Sequence, residues 1–215
     1  MTGLEAAQKF KVEINKLDRS SYIDIRLEKI LHYLNKAALF LVKKKYRGID
    51  SGPGRLEIMH PVLDDLKNLI KESSTTGLEE TGLTEIAFEN DHLYFIACNI
   101  QTASSECPTP DWHEGRYVKP ERVYKELESP FTESKLDSPM ITVVGDKLVI
   151  YHSAFDVGAV TVKYLSTPAE ITSDAEIALS FENEIIDTAV SMALENVESQ
   201  RIKTQPQVNV ANISE

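Results

Sequence analysis

The side chains best able to do chemistry in this chain are five histidines, two cysteines and a few neighbouring carboxylates. Their spacing assembles no recognisable site. His32, His60, His92, His113 and His152 never form H-E-x-x-H, and none stands at zinc spacing from a cysteine. His113-Glu114 lacks the second histidine one helical turn on. Each histidine reads as structural: His32 falls in a helix with its own apolar stripe, and His92 and His152 alternate with strand residues. Cys98 and Cys107 imply no disulfide framework, a bond between the two stays open, and the compartment reads as reducing. Asp64 and Asp65 are consecutive on a helical pattern and diverge, so they share no proton or metal readily. Gly52-Pro53-Gly54 lacks the lysine and following helix of a phosphate cradle, and there is no G-x-S-x-G. With no convergent titratable groups, the expectation is a protein that is not an enzyme and holds no cofactor and no metal.

Charge carries more information. Between Lys163 and Arg201 lie eight acidic residues and no base. Within 179–200, Ile185, Ile186, Ala189, Val190, Ala193, Leu194 and Val197 recur at helical spacing as a buried stripe. Glu184, Asp187, Ser191, Glu195 and Glu198 fall on another face, which therefore has a single sign. A solvated helix side is the ordinary reading, yet such sides usually mix signs because Glu–Lys pairs four residues apart add stability. Residues 1–48 hold eleven of the 23 bases against five acids, a balance of +6, which leaves −17 for the remainder of a chain of net charge −11. Such asymmetry points to self-association or to a polyanion nearby.

The elements that would position these groups suggest an α+β fold. The apolar periodicity near 3.6 in residues 1–72 gives N-terminal helices, and the acidic helix at 179–200 completes their bundle. Leu27, Ile30, Leu31, Leu34, Ala38 and Leu41 form the stripe of the second helix. Lys43, Lys44, Lys45 and Arg47 suit its carbonyl end and Gly48 its left-handed cap, a more economical account of the lysine run than a nucleic-acid patch. A turn at 51–54 precedes a third helix opened by His60-Pro61, with Val62, Leu63, Leu66, Leu69 and Ile70 inward, and 71–82 reads as a loop.

An antiparallel β-subdomain is expected over 83–165. It has a hairpin of 83–88 with 92–100, a second of 140–144 with 147–152 across a type II′ Gly145-Asp146 turn, and a strand at 159–165. Residues 102–139 form a proline-rich arm with at most a short helix at 121–127; its Trp112, Tyr117 and Tyr124 suit an interface, though packing on its own domain is an equal reading. Residues 201–215 read as an extended polar tail that orders on a partner. No apolar run approaches a membrane span, and the N-terminus reads as an amphipathic helix rather than a signal peptide.

The order of parts resembles a known family. Helices, a proline-rich arm, Ser138-Pro139 leading into MITVVGDKLVIYHS, then VTVKYLSTPAEI and FENEIIDTAVSMALENVESQR, are similar to the adaptor or ring proteins of the head-to-tail connector in short-tailed, crAss-like bacteriophages, best over 108–201. The resemblance implies a virion protein of the neck, assembled in the host cytoplasm. It would form a homo-oligomeric, dodecameric ring below the portal protein, beside other tail and ring proteins, with DNA passing through unbound. It implies that Glu184, Asp187, Glu195 and Glu198 line the channel. Trp112, Tyr117, Tyr124 and the tail residues Arg201, Ile202, Val208, Val210 and Ile213 would meet partners. An acidic wall fits a channel, since phosphate contacts would create salt-dependent adhesion. The competing expectation, of another class, is an acidic intracellular module that mimics DNA and inhibits a nucleic-acid enzyme, working as monomer or dimer.

Overall fold

A computed structural model describes residues 1–17, 25–50, 64–76, 82–104 and 109–211, with side chains for all of these except Leu17, 47–50 and 197–211. The fold is α+β, in two compact units: residues 1–68 with 168–215, and residues 69–167.

The first unit is helical. Helix α1 (Gly3–Leu17) starts with a capping box: the Thr2 N–H donates to Glu5 Oε2 at 2.9 Å and the Glu5 N–H to Thr2 Oγ1 at 3.3 Å. Its stripe of Ala6, Ala7, Phe10 and Ile14 is buried. Helix α2 (Leu27–Asp50) buries Ile30, Leu34, Ala37, Ala38, Leu41 and Val42. Helix α2 runs through Gly48 rather than ending there, because a helix already nucleated over twenty residues tolerates one glycine at about 1 kcal/mol. The last helix here, Glu182–Ala211, packs against both α1 and α2.

Where an extended tail was expected, the backbone is helical over 201–211, with Pro206 inside the helix. Residues 212–215, Ile213 among them, lie outside the described residues, as do the 51–54 turn and His60 to Leu63. Of the expected third helix, the described residues 64–66 are helical, after which Lys67–Leu69 tightens into a 3-10 turn and Ile70 already begins a strand.

The second unit stacks two four-stranded sheets. Strand β1 (Ile70–Thr76) replaces the expected loop: its sequence IKESSTT is polar because it is a sheet edge, paired on one side only, with β8 (Asp156–Ser166). β2 (Gly82–Ala87) and β3 (His92–Ala103) exist as expected but do not form a hairpin. β2 pairs with β7 (Lys147–His152) in one sheet and β3 with β8 in the other, so residues 88–91 arch between layers. Each strand must send its apolar face to one shared core, and Ile86, Cys98, Ile100, Ile141, Leu148, Ile150, Val160 and Val162 meet there. β6 (Met140–Val144) and β7 form the expected hairpin; Gly145 has φ +59° and Asp146 a negative φ, as a II′ turn requires.

The proline-rich arm is folded onto this unit. β4 (Asp111–Glu114) extends the β3 sheet. β5 (Arg116–Tyr117) makes the one two-residue parallel pairing of the described strands, with β6. The expected short helix is present as α3 (Val123–Leu127), preceded by a 3-10 turn; Val118, Val123 and Met140 form a small core with Leu127 and Tyr151. Backbone groups of such a stretch need partners, and side chains supply them. Thr132 Oγ1 donates to the Glu126 carbonyl at 3.0 Å and Thr102 Oγ1 to the Leu136 carbonyl at 3.1 Å, while Arg116, paired with the Glu126 carboxylate at 3.2 Å, donates to the Thr132 carbonyl. In chain order the long C-terminal helix is hereafter α4.

Candidate functional site

Two helix faces of the first unit carry the charge pattern read from the sequence. On α4 the apolar stripe Ile185, Ile186, Ala189, Val190 and Ala193 is buried, which turns Glu184, Asp187, Ser191 and Glu195 to solvent. Ser191 Oγ donates to the Asp187 carbonyl one turn back, at 3.0 Å. Glu198 lies where side chains are not described. The face is less uniform than expected: Lys45 of α2 reaches Glu184 at 3.3 Å and Asp65 at 2.8 Å, with its ammonium 4.7 Å from the Phe181 ring centroid. Lys45 is only 19% exposed. Burial acts to lower its pKa, and the hydrogen bonds to the two carboxylates more than offset this, so it sits above the ordinary lysine value. Glu182 is likewise engaged, by the Met1 amino group at 2.9 Å. Among the described residues no base pairs with Asp187 or Glu195.

The solvent face of α2 is basic on balance: Lys29, Lys36 and Lys44 are exposed beside Glu28, and His32, Lys36, Phe40 and Lys44 recur every four residues. Phe40, 48% exposed, is the large apolar side chain in the middle of this row. Sequence reasoning assigned the lysines at 43–47 to capping and missed the row, whose signal was the Lys36-x-x-x-Phe40-x-x-x-Lys44 spacing.

The arm residues proposed to meet partners belong to the second unit. Trp112 lies on β4 opposite Gln101, and Tyr117 on β5, its ring 6.2 Å from that of Phe95. Tyr124 projects from α3 at 80% exposure, and Phe131, which the sequence reading passed over, is 89% exposed. The backbone of Arg201, Ile202, Val208 and Val210 is helical.

The other candidate chemistry resolves into structure. His152 is buried, with Nε2 2.8 Å from Thr84 Oγ1 and Nδ1 3.1 Å from the Phe155 carbonyl. His92 stacks on Phe88 at 3.8 Å, and burial lowers its pKa. Cys98 is a free, buried thiol, and burial raises its pKa to about 12, which keeps it protonated. Asp65 turns to Lys45 while Asp64 is exposed, so the neighbouring carboxylates do diverge. Among the described residues no cluster of three His, Cys, Asp or Glu side chains could hold a metal, and no helix is long and apolar enough to cross a membrane.

A shallow polar cleft of about 350 Å³ on the second unit is lined by Lys71, Glu72, Ser73, Glu89, Asp91 and Tyr164. The Lys71 ammonium, 2.5 Å from Asp91, and the Tyr164 hydroxyl, 3.1 Å away, hold the Asp91 carboxyl below its ordinary 3.8. A carboxylate depressed on folding contributes stability that is present above pH 3.8 and is lost as pH falls through the lower folded value. Replacing Asp91 with Asn should therefore flatten the acid limb of a stability-against-pH curve below that point, and an unchanged limb would show that the pair is too solvated to matter.

Comparison with protein-family models finds no match, and neither does a search of curated proteins.

Proposed function

We propose that this chain is a structural protein that assembles with copies of itself into a ring, as a connector component beneath the portal of a tailed phage. The observation that carries the reading is the pair of opposite-signed solvent faces on one helical unit, basic on α2 and acidic on α4. A chain of net charge −11 repels its copies at long range, so a directed contact needs a local complement. Two different patches make a head-to-tail contact, and such contacts close into rings or run on as filaments. The order of elements over 108–201, which resembles connector ring proteins, supports placing the ring at a portal.

The DNA-mimic reading is served less well, since a polyanion mimic has no use for the exposed lysines of α2. In this reading the row Glu184, Asp187, Glu195 and Glu198 meets a neighbouring copy rather than DNA, and Glu184 is already engaged by Lys45 within the chain.

Negative-stain microscopy of the full chain with the portal protein encoded in the same genome tests the reading. Closed rings coaxial with the portal are expected. A chain that stays monomeric with and without portal overturns it.

A further inference from the structure

We infer that the copy-to-copy contact seats the α2 row Lys36–Phe40–Lys44 on the α4 row Asp187–Ser191–Glu195 of a second copy. The two rows share one spacing. Lys36 and Lys44 stand eight residues apart, as do Asp187 and Glu195, so each charged pair spans about 12 Å along its helix. Each row has one residue at its midpoint, Phe40 on one and Ser191 on the other. The two are complementary in size, a half-exposed ring facing a small side chain.

Ser191 is also chemically ready for an apolar neighbour. Its hydroxyl already donates to the Asp187 carbonyl, so a ring laid over it strands no polar group. Half-buried Thr188 and Met192 flank it, and the thioether of a methionine adapts to an aromatic edge. The division of labour follows from magnitudes. Exposed ion pairs contribute little affinity, while covering the Phe40 ring supplies the apolar term, and the lysines and carboxylates fix partner and register. Asp187 and Glu195 are the carboxylates of this face with no base beside them among the described residues, and Lys36 and Lys44 are exposed. The pairing rests on the ring reading only in taking the occupant to be another copy of this chain.

Sedimentation velocity on the full chain, at low and at high salt, tests it with charge swaps. The wild-type chain should associate with rising concentration, less so at high salt. K36E/K44E and D187K/E195K should each weaken association by more than about tenfold, because like charges then face each other. An equimolar mixture of the two variants should recover it, since every contact in an alternating assembly again joins opposite signs. Phe40→Ser should weaken association at both salt concentrations. The four charged positions are exposed, where changes usually cost within about ±0.5 kcal/mol, Phe40 is half exposed, and circular dichroism checks that each variant folds. Association that survives both swaps overturns this pairing and leaves the ring reading standing. Swaps that abolish association without recovery on mixing also overturn it. A wild-type chain that never associates alone overturns the pairing, whereas the ring reading falls only if the portal mixture forms no ring either.

Discussion

Alanine at position 3 is expected to destabilise the helical unit by about 3 kcal/mol, at the upper end of the usual cost of overpacking. A Cβ built on Gly3 would lie 2.0 Å from the Thr172 carbonyl oxygen, 3.0 Å from its carbonyl carbon and 3.2 Å from Ile171 Cγ2. The first two are main-chain atoms, so no side-chain rotation relieves the clash. The backbones must separate instead, and they are tied. The Gly3 N–H donates to the Ala175 carbonyl at 3.1 Å, the Leu4 N–H to that of Ser173 at 3.0 Å and the Ile177 N–H to that of Met1 at 3.0 Å. An ångström of separation stretches all three beyond good geometry. Urea titration should show a lower midpoint with an unchanged slope, and hydrogen exchange should quicken at Gly3 and Leu4. Gln8→Ala, on the exposed side of α1, is the control and should stay within about ±0.5 kcal/mol. A wild-type midpoint for Gly3→Ala would mean that the strip at 172–177 is not closed against α1.

The helices were legible because each carries a continuous apolar stripe: Ile30, Leu34, Ala38 and Leu41 on α2, and Ile185, Ile186, Ala189 and Val190 on α4, are buried as their spacing requires. The β6–β7 hairpin was legible from Gly145-Asp146, a local signal in which turn chemistry fixes register. What failed was non-local. Nothing within β2 or β3 says that their partners are β7 and β8, so short separation read as a hairpin where the layers needed an arch. β1 was invisible because an edge strand has little apolar face to show. The arm read as structureless because its order comes from side-chain bonds of Thr132, Arg116 and Thr102 that span 6, 10 and 34 positions, which leaves no periodicity.

The same limit applies to the candidate faces. Helical spacing displayed the acidic row of α4, but Lys45 stands 139 positions from Glu184, and only the packing of α2 on α4 brings the two within reach. The basic row of α2 was present in the sequence at four-residue spacing. It was overlooked because the adjacent lysines had a sufficient local explanation at the helix end.

Removing the Asn35 amide should cost on the order of 2–4 kcal/mol, because two backbone groups of a buried residue lose their partner together. Residues 167–175 have no regular structure to satisfy their main chain. Asn35 supplies what a neighbouring strand would: its Oδ1 accepts from the Ile171 N–H at 2.7 Å and its Nδ2 donates to the Ile171 carbonyl at 3.1 Å, with a further bond to the Leu31 carbonyl at 3.0 Å. Ile171 itself is buried. Asn35→Leu keeps the volume and strands both groups, so its loss reports the hydrogen bonds rather than a cavity. Asn35→Asp gives a sharper test. The carboxylate still accepts from the Ile171 N–H but faces two carbonyl oxygens, which raises its folded pKa above the unfolded value. An acid raised on folding binds its proton more readily in the native state, so stability should increase as pH falls and the protonated oxygen again donates. Asn35→Asp should therefore be clearly less stable than wild type at pH 7 and recover part of the difference by pH 4, with denaturant midpoints as the readout. A deficit that is flat in pH, or an Asn35→Leu variant within about ±0.5 kcal/mol of wild type, would mean that this amide does not hold Ile171 against α2.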